Sequence, residues 1–182
     1  MRALFTAVLM AFAPTLALAD NHKEGDSGYA SFARTTILAR LADLEPSIVF
    51  WRDVMGFAYA GDTMGDPRPS TGSASEIGWS ENATRYFTAF TSKEGSTVAL
   101  LMVEDDPGFP ALDMPDAGVP YGGVVLVHTA KNIQGIYDRA VANNVTIVKP
   151  LGLSATGRSQ QMFLRAPTGH FVEVYELLPQ DD

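Results

Sequence analysis

One order of elements is written twice in this chain, and that repeat limits the possible folds more than any other feature. In the first copy, Arg34-Thr35-Thr36-Ile37-Leu38-Ala39-Arg40 carries β-branched residues densely and reads as a strand. Asp43 can then cap a helix in which Leu44, Ile48, Trp51 and Met55 follow helical spacing, Pro46 fits the first turn, and Gly56 is placed to end it. Phe57 to Ala60 reads as the next strand, and Arg85 to Thr91 and Thr97 to Glu104 complete the copy. The second copy runs from a strand at Gly123 to His128, through a cap at Asn132, to a helix over Ile133, Ile136, Tyr137 and Ala140. Asn143-Asn144 breaks that helix, and strands follow at Val145 to Val148, Gln160 to Arg165 and His170 to Glu176. The two caps, Asp43 and Asn132, are 89 residues apart.

Both copies therefore read βαβββ, and the expected class is α+β. A sheet with one helix on a single face leaves its other face uncovered, so the halves are expected to pack as one domain rather than fold separately. That domain spans 33–177, with module one at 33–104, a proline-punctuated linker at 105–120, and module two at 121–177. A Gly, Pro and Ser-rich insertion from Gly61 to Ser75 interrupts module one. A curved sheet built from both halves would enclose a cleft, the usual setting for a small-molecule site. The same pattern is compatible with a homodimer in which two chains exchange modules.

Residues 1–19 follow a different plan: one charge at Arg2, a largely apolar run from Ala3 to Ala13, and small residues at Ala17 and Ala19. This is the layout of a signal peptide cleaved before Asp20, followed by a flexible polar lead-in over 20–32, and it places the protein in the periplasm or outside the cell. The run falls short of the roughly 20 apolar residues that a spanning helix requires, and Pro14 interrupts it, so no membrane anchor is expected after cleavage. Cleavage removes one of 13 basic residues and none of the 21 acidic ones, taking the formal charge from −8 to −9. Such a chain repels phosphate backbones, which excludes nucleic acid as a partner on charge grounds. With no cysteine, export brings no disulfide framework. Asn82-Ala83-Thr84 fits a glycosylation acceptor.

Two segments resemble the vicinal oxygen chelate superfamily, which includes glyoxalase I, extradiol dioxygenases and bleomycin-resistance proteins. Asp43-Leu44-Glu45-Pro46-Ser47 followed by Phe50-Trp51-Arg52-Asp53-Val54-Met55-Gly56-Phe57 is similar to the family's first helix and its "FYRDVLGF" ending. Ala166-Pro167-Thr168-Gly169-His170-Phe171-Val172-Glu173-Val174-Tyr175-Glu176 is similar to its closing "DPDGHFIELYE". With the repeat, the likeness covers most of 33–177. It implies the paired βαβββ fold, and it implies no single activity, because one scaffold hosts several chemistries.

In the family's enzymes a divalent metal is held by side chains from the first and last strands of each module. Glu173 matches the last of those positions, and counting back from the capping acid puts Thr36 at the first. The offset of 89 carries Thr36 to Val125, and aligning Gly169 with Gly95 carries Glu173 to Ala99. Valine and alanine supply no donor, so one carboxylate and one hydroxyl remain. No metal ligands and no cofactor are predicted, although a divalent metal held by Glu173 with help from a substrate stays open. Strand parity turns His128 and His170 to the opposite face from the cleft, and His22 falls in the lead-in. Phe50 and Trp51 belong to the helix core, while Arg85, Tyr86 and Arg165 are further candidates to line the cleft.

The candidate ligand-binding residues are therefore Arg34, Thr36, Glu173 and Tyr175, with Arg34 and Arg40 as possible partners of Glu173 or of an anionic ligand. The first functional expectation is an exported protein that binds a small aromatic or amphipathic molecule without the family's full metal site. The alternative is a divergent lyase, isomerase or dioxygenase-like enzyme of the same superfamily using Glu173 as base. A folded module with a filled cleft is a third.

Overall fold

The computed structural model of the protein describes residues 34–69, 84–104, 115, 119 and 122–179. The expected signal peptide, the lead-in, the end of the insertion, Asn82 and nearly all of the linker lie outside the described residues. Ala33–Asp182 forms one compact unit. No helix among the described residues is long and apolar enough to cross a membrane.

Module one contains strand β1 (Arg34–Arg40), helix α1 (Leu44–Ile48), a short strand β2 (Ala58–Tyr59), a one-turn helix α2 (Gly61–Met64), and strands β3 (Arg85–Thr91) and β4 (Thr97–Val103). Its sheet has the order β1-β4-β3-β2, with β1 parallel to β4 and the rest antiparallel. Module two repeats this with β5 (Val125–Thr129), α3 (Ile133–Ala142), β6 (Ile147–Leu153), β7 (Ser159–Arg165) and β8 (Phe171–Leu177) in the order β5-β8-β7-β6. The expected βαβββ repeat is the observed one, and each half makes its own four-stranded sheet.

The first helix is not a uniform α-helix. A 3-10 turn over Leu41–Asp43 leads into α1, which widens into a π-helical segment over Val49–Val54. The wider winding, marked by the Met55 N–H donating to the Phe50 carbonyl at 2.9 Å, brings Phe50, Trp51, Val54 and Met55 together into the core. Gly56, at φ 80°, ends the helix in the left-handed region, where glycine carries no Cβ penalty.

Asp43 does not cap α1 as expected. Because the chain passes through the 3-10 turn first, Asp43 is already helical, and its carboxylate reaches back to the Arg40 backbone N–H (3.1 Å) and guanidinium (2.9 Å). Asn132 does cap α3, accepting from the Gly135 N–H at 2.9 Å. Glu176 of β8 adds a second cap, accepting from the Ile133 N–H at 2.7 Å, so a carboxylate sits at the positive end of the helix. Glu176→Ala is accordingly expected to lower the unfolding free energy by about 1 kcal/mol, readable as a drop in denaturant midpoint at unchanged slope. No loss of stability would show that the bond contributes nothing.

One hydrophobic cluster joins the helix-bearing faces of both sheets. It includes Ile37, Val98, Leu100, Met102 and Phe90 from module one and Leu126, Met162, Leu164, Val172 and Val174 from module two. Trp51, fully buried, sits at the junction: its ring meets Phe50 edge-on at 4.9 Å, Phe57 at 5.6 Å and His128 at 5.6 Å. The Arg139 Nε of α3 donates to the Val54 carbonyl at 2.8 Å, tying the two helical segments together.

Candidate functional site

Strand alternation assigns the remaining side chains to a second face on each sheet, turned away from the shared core. On sheet one these are Arg34, Thr36 and Leu38 from β1, Thr97, Ala99 and Leu101 from β4, and Phe87 and Ala89 from β3. On sheet two they are Val125 and Val127 from β5, Glu173 and Tyr175 from β8, and Gln161 and Phe163 from β7.

The strand registers place the expected residues in rows. Thr36 pairs with Ala99, which pairs with Ala89. In module two Glu173 is flanked by Val127 and Phe163. Val127, not Val125, is therefore the counterpart of Thr36. The offset of 89 holds at the helix starts, Leu44 and Ile133, but not in the strands, because Thr36 precedes the first by eight residues and Val127 precedes the second by six. An even difference preserves the face, so the position remains a valine without a donor.

Glu173 is half-buried and, among the described residues, its carboxylate has no hydrogen bond or ion pair. The expected pairing with Arg34 or Arg40 is not observed. Arg34 lies over the Phe87 ring of its own module, 5.0 Å from the centroid, and Arg40 is held by Asp43. Tyr175 is half-buried between Thr129 and Gln161. Arg165 lies 4.6 Å over Phe171 and donates to the carbonyls of Gly169 and Pro115, while Lys149 lies 5.7 Å over Phe163.

His128 faces the core, 5.4 Å from Phe57 and edge-on to Trp51, and its buried Nε2 has no partner among the described residues. Burial holds its pKa below the ordinary histidine value. His170, also lowered chiefly by burial and partly opposed by a bond to Thr168, follows a turn and lies 3.2 Å from the Thr168 hydroxyl. Neither histidine joins Glu173. No group of three His, Cys, Asp or Glu gathers among the described residues.

Two cavities were not foreseen from the sequence. One, of about 450 Å³, lies at the edge of sheet one, between the α2 segment (Met64, Pro67, Arg68) and β3 (Phe87, Ala89). The other, of about 410 Å³, lies between Pro46, Val49 and Phe50 and the module-two turns at Asn144 and Ala166. Both depend on contacts between distant turns, which periodicity does not report.

The fold and these positions can be set beside known proteins. The profile of the Glyoxalase/Bleomycin resistance protein/Dioxygenase superfamily matches residues 33–174, well over half of the chain. The chain belongs to that superfamily. Among solved structures, it is similar to a glyoxalase family protein from Bacillus cereus, at 13% identity and a TM-score of 0.63, covering 84% of this chain and 98% of that one. It is similar also to a glyoxalase/dioxygenase from Nostoc punctiforme, at 14% identity and a TM-score of 0.54, covering 79% of this chain and 90% of that one. A third likeness is to a glyoxylase/bleomycin resistance protein/dioxygenase domain from Frankia, at 9% identity and a TM-score of 0.51, covering 82% and 98%. At these identities the likeness concerns the fold alone. The comparison with curated proteins gave no match.

Membership in the superfamily raises the question of a metal, and the donor set answers it on chemistry. Thr36, Ala99, Val127 and Glu173 together offer one carboxylate and one neutral hydroxyl, whereas a divalent ion needs several nitrogen or oxygen donors in fixed geometry. These residues do not fit the superfamily's metal site.

Proposed function

We propose that this protein is an exported member of the superfamily that binds a small aromatic or amphipathic molecule against the second sheet faces, without metal chemistry of its own. The observation that carries this reading is the Thr36, Ala99, Val127 and Glu173 set: the fold is kept while the donors are not. Aromatic side chains stand on the same second faces, with Phe87 on sheet one and Phe163 and Tyr175 on sheet two. Arg34, Thr36, Glu173 and Tyr175 are the residues assigned to the ligand.

A thermal-shift screen of the mature protein tests this. A ligand at a hundred times its Kd adds about 2.7 kcal/mol, which moves the melting point by several degrees. The shift should survive a chelator and shrink in Thr36→Phe and Glu173→Ala. A shift that requires added divalent metal, or no shift with any compound, counts against the proposal.

The unpartnered Glu173 carboxylate favours a second reading, in which it takes a proton from a bound substrate as general base. Product formation abolished by Glu173→Gln, with ligand affinity retained, would select that reading. Export is supported by the Arg2, apolar and Ala17/Ala19 pattern, and mature protein beginning at Asp20 in the exported fraction is the expected result. A homodimer belongs to the same proposal, since Leu38, Phe87 and Val127 are exposed on the second faces. Sedimentation of the purified protein reads it directly.

A further inference from the structure

The cavity at the edge of sheet one gives the ligand a chemical class. Its wall is mainly apolar, built from Met64, Pro67, Phe87 and Ala89, and its volume of about 450 Å³ suits a molecule of one or two rings. The Thr36-Ala99-Ala89 row of small side chains leads into it, because Ala89 is both the last member of the row and part of the wall.

Two arginines stand at this place. Arg68 lines the cavity, and the Arg34 guanidinium stands 5.0 Å from the centroid of the wall residue Phe87. To reach Phe87, which is aligned with Leu101, from a position aligned with Thr97, Arg34 must cross above Ala99, and that alanine is fully buried. Among the described residues the side chains of Arg34 and Arg68 form no ion pair or hydrogen bond. Two guanidiniums without a carboxylate partner thus stand at a cavity whose lining holds one carboxylate, Asp66, although the chain as a whole carries a formal charge of −8. A guanidinium offers a planar fork of donors that matches a carboxylate, and one already stacked on an aromatic ring loses less freedom when it binds.

We propose that the molecule bound here is a small aromatic carboxylate, its ring against Phe87, Met64 and Pro67 and its acid group on Arg34 and Arg68. This rests on the small-molecule reading above and narrows it to anionic aromatics; of the residues assigned there it uses Arg34 and the Thr36 row, while Glu173 and Tyr175, on sheet two, do not line this cavity. A cationic ligand is disfavoured, because it would stand beside two guanidiniums that no carboxylate neutralises.

The test is an NMR titration of the ¹⁵N-labelled mature protein with benzoate, benzylamine and benzyl alcohol as probes. Benzoate is expected to shift the Gly61, Met64 and Ala89 amides saturably, and to bind more tightly than either other probe. The Arg34→Met/Arg68→Met double variant should lose about tenfold in benzoate affinity, while Arg34→Lys/Arg68→Lys keeps most of it. Both side chains belong to exposed residues, and an unchanged melting point will confirm that the variants fold. If benzylamine or benzyl alcohol binds at the same amides as well as benzoate does, and the double methionine variant changes nothing, the carboxylate assignment fails while small-molecule binding stands. If no probe shifts any amide of the cavity or the second faces, both fail.

Discussion

Trp51→Ala is expected to lower the unfolding free energy by about 3–5 kcal/mol, a large share of the 5–15 kcal/mol typical of a domain. The side chain is fully buried and touches Phe50 and Phe57 of its own module and His128 of the other. Removing it opens a cavity at the point where the two halves meet, and the fixed backbone of both sheets limits how far that cavity can collapse. The effect should exceed that of truncating an equally buried residue within one sheet, such as Leu164, because losses fall on both modules. Chemical denaturation reads it as a lower midpoint at unchanged slope. A cost below about 1 kcal/mol would mean that the junction is not the centre of the fold.

Acid is expected to loosen the same junction. Burial holds the His128 pKa below its value in the unfolded chain, where it is near 6.5. Above 6.5 the imidazole is neutral in both states and the stability is fully present. As pH falls through 6.5 toward the lower folded value, the unfolded chain takes up the proton first and stability is lost. His128 lies against two aromatic rings with no partner for its buried Nε2, so protonation without unfolding places a charge where no carboxylate compensates its lost hydration. His170 shifts in the same direction and adds to the slope. Melting points should therefore fall between pH 7.5 and pH 5, and His128→Leu should flatten that fall without abolishing it. An equal fall in the variant would show that carboxylates or His170 account for the acid response.

Much of this architecture is legible in the chain because local rules and the fold agree. Strands β1 and β3 have the expected bounds, Asn132 caps its helix with its side chain, and Gly56 ends its own by having none. Strand alternation also places Glu173 and Thr36 on the second faces and His128 in the core. The discrepancies have local physical causes. Regular helical spacing from Leu44 to Met55 does not announce the π-helical segment, since tertiary packing of Phe50 and Trp51 selects it. The counterpart of Thr36 is displaced by two residues because β1 runs two residues further along its parallel partner than β5 does before an equally long connection to the helix. Arg34 finds Phe87 two strands away, and Glu176 finds the N-terminus of α3; both contacts depend on register, which one strand read alone does not carry.

The central claim is that the superfamily fold is retained here without a metal-binding donor set. Metal analysis of the mature protein, equilibrated with zinc, nickel, manganese or iron(II) and then freed of excess ion, addresses it most directly. The expected result is far less than one metal per chain for every ion, with the same melting point in the presence and absence of chelator. Near-stoichiometric metal that disappears in Glu173→Ala would contradict it.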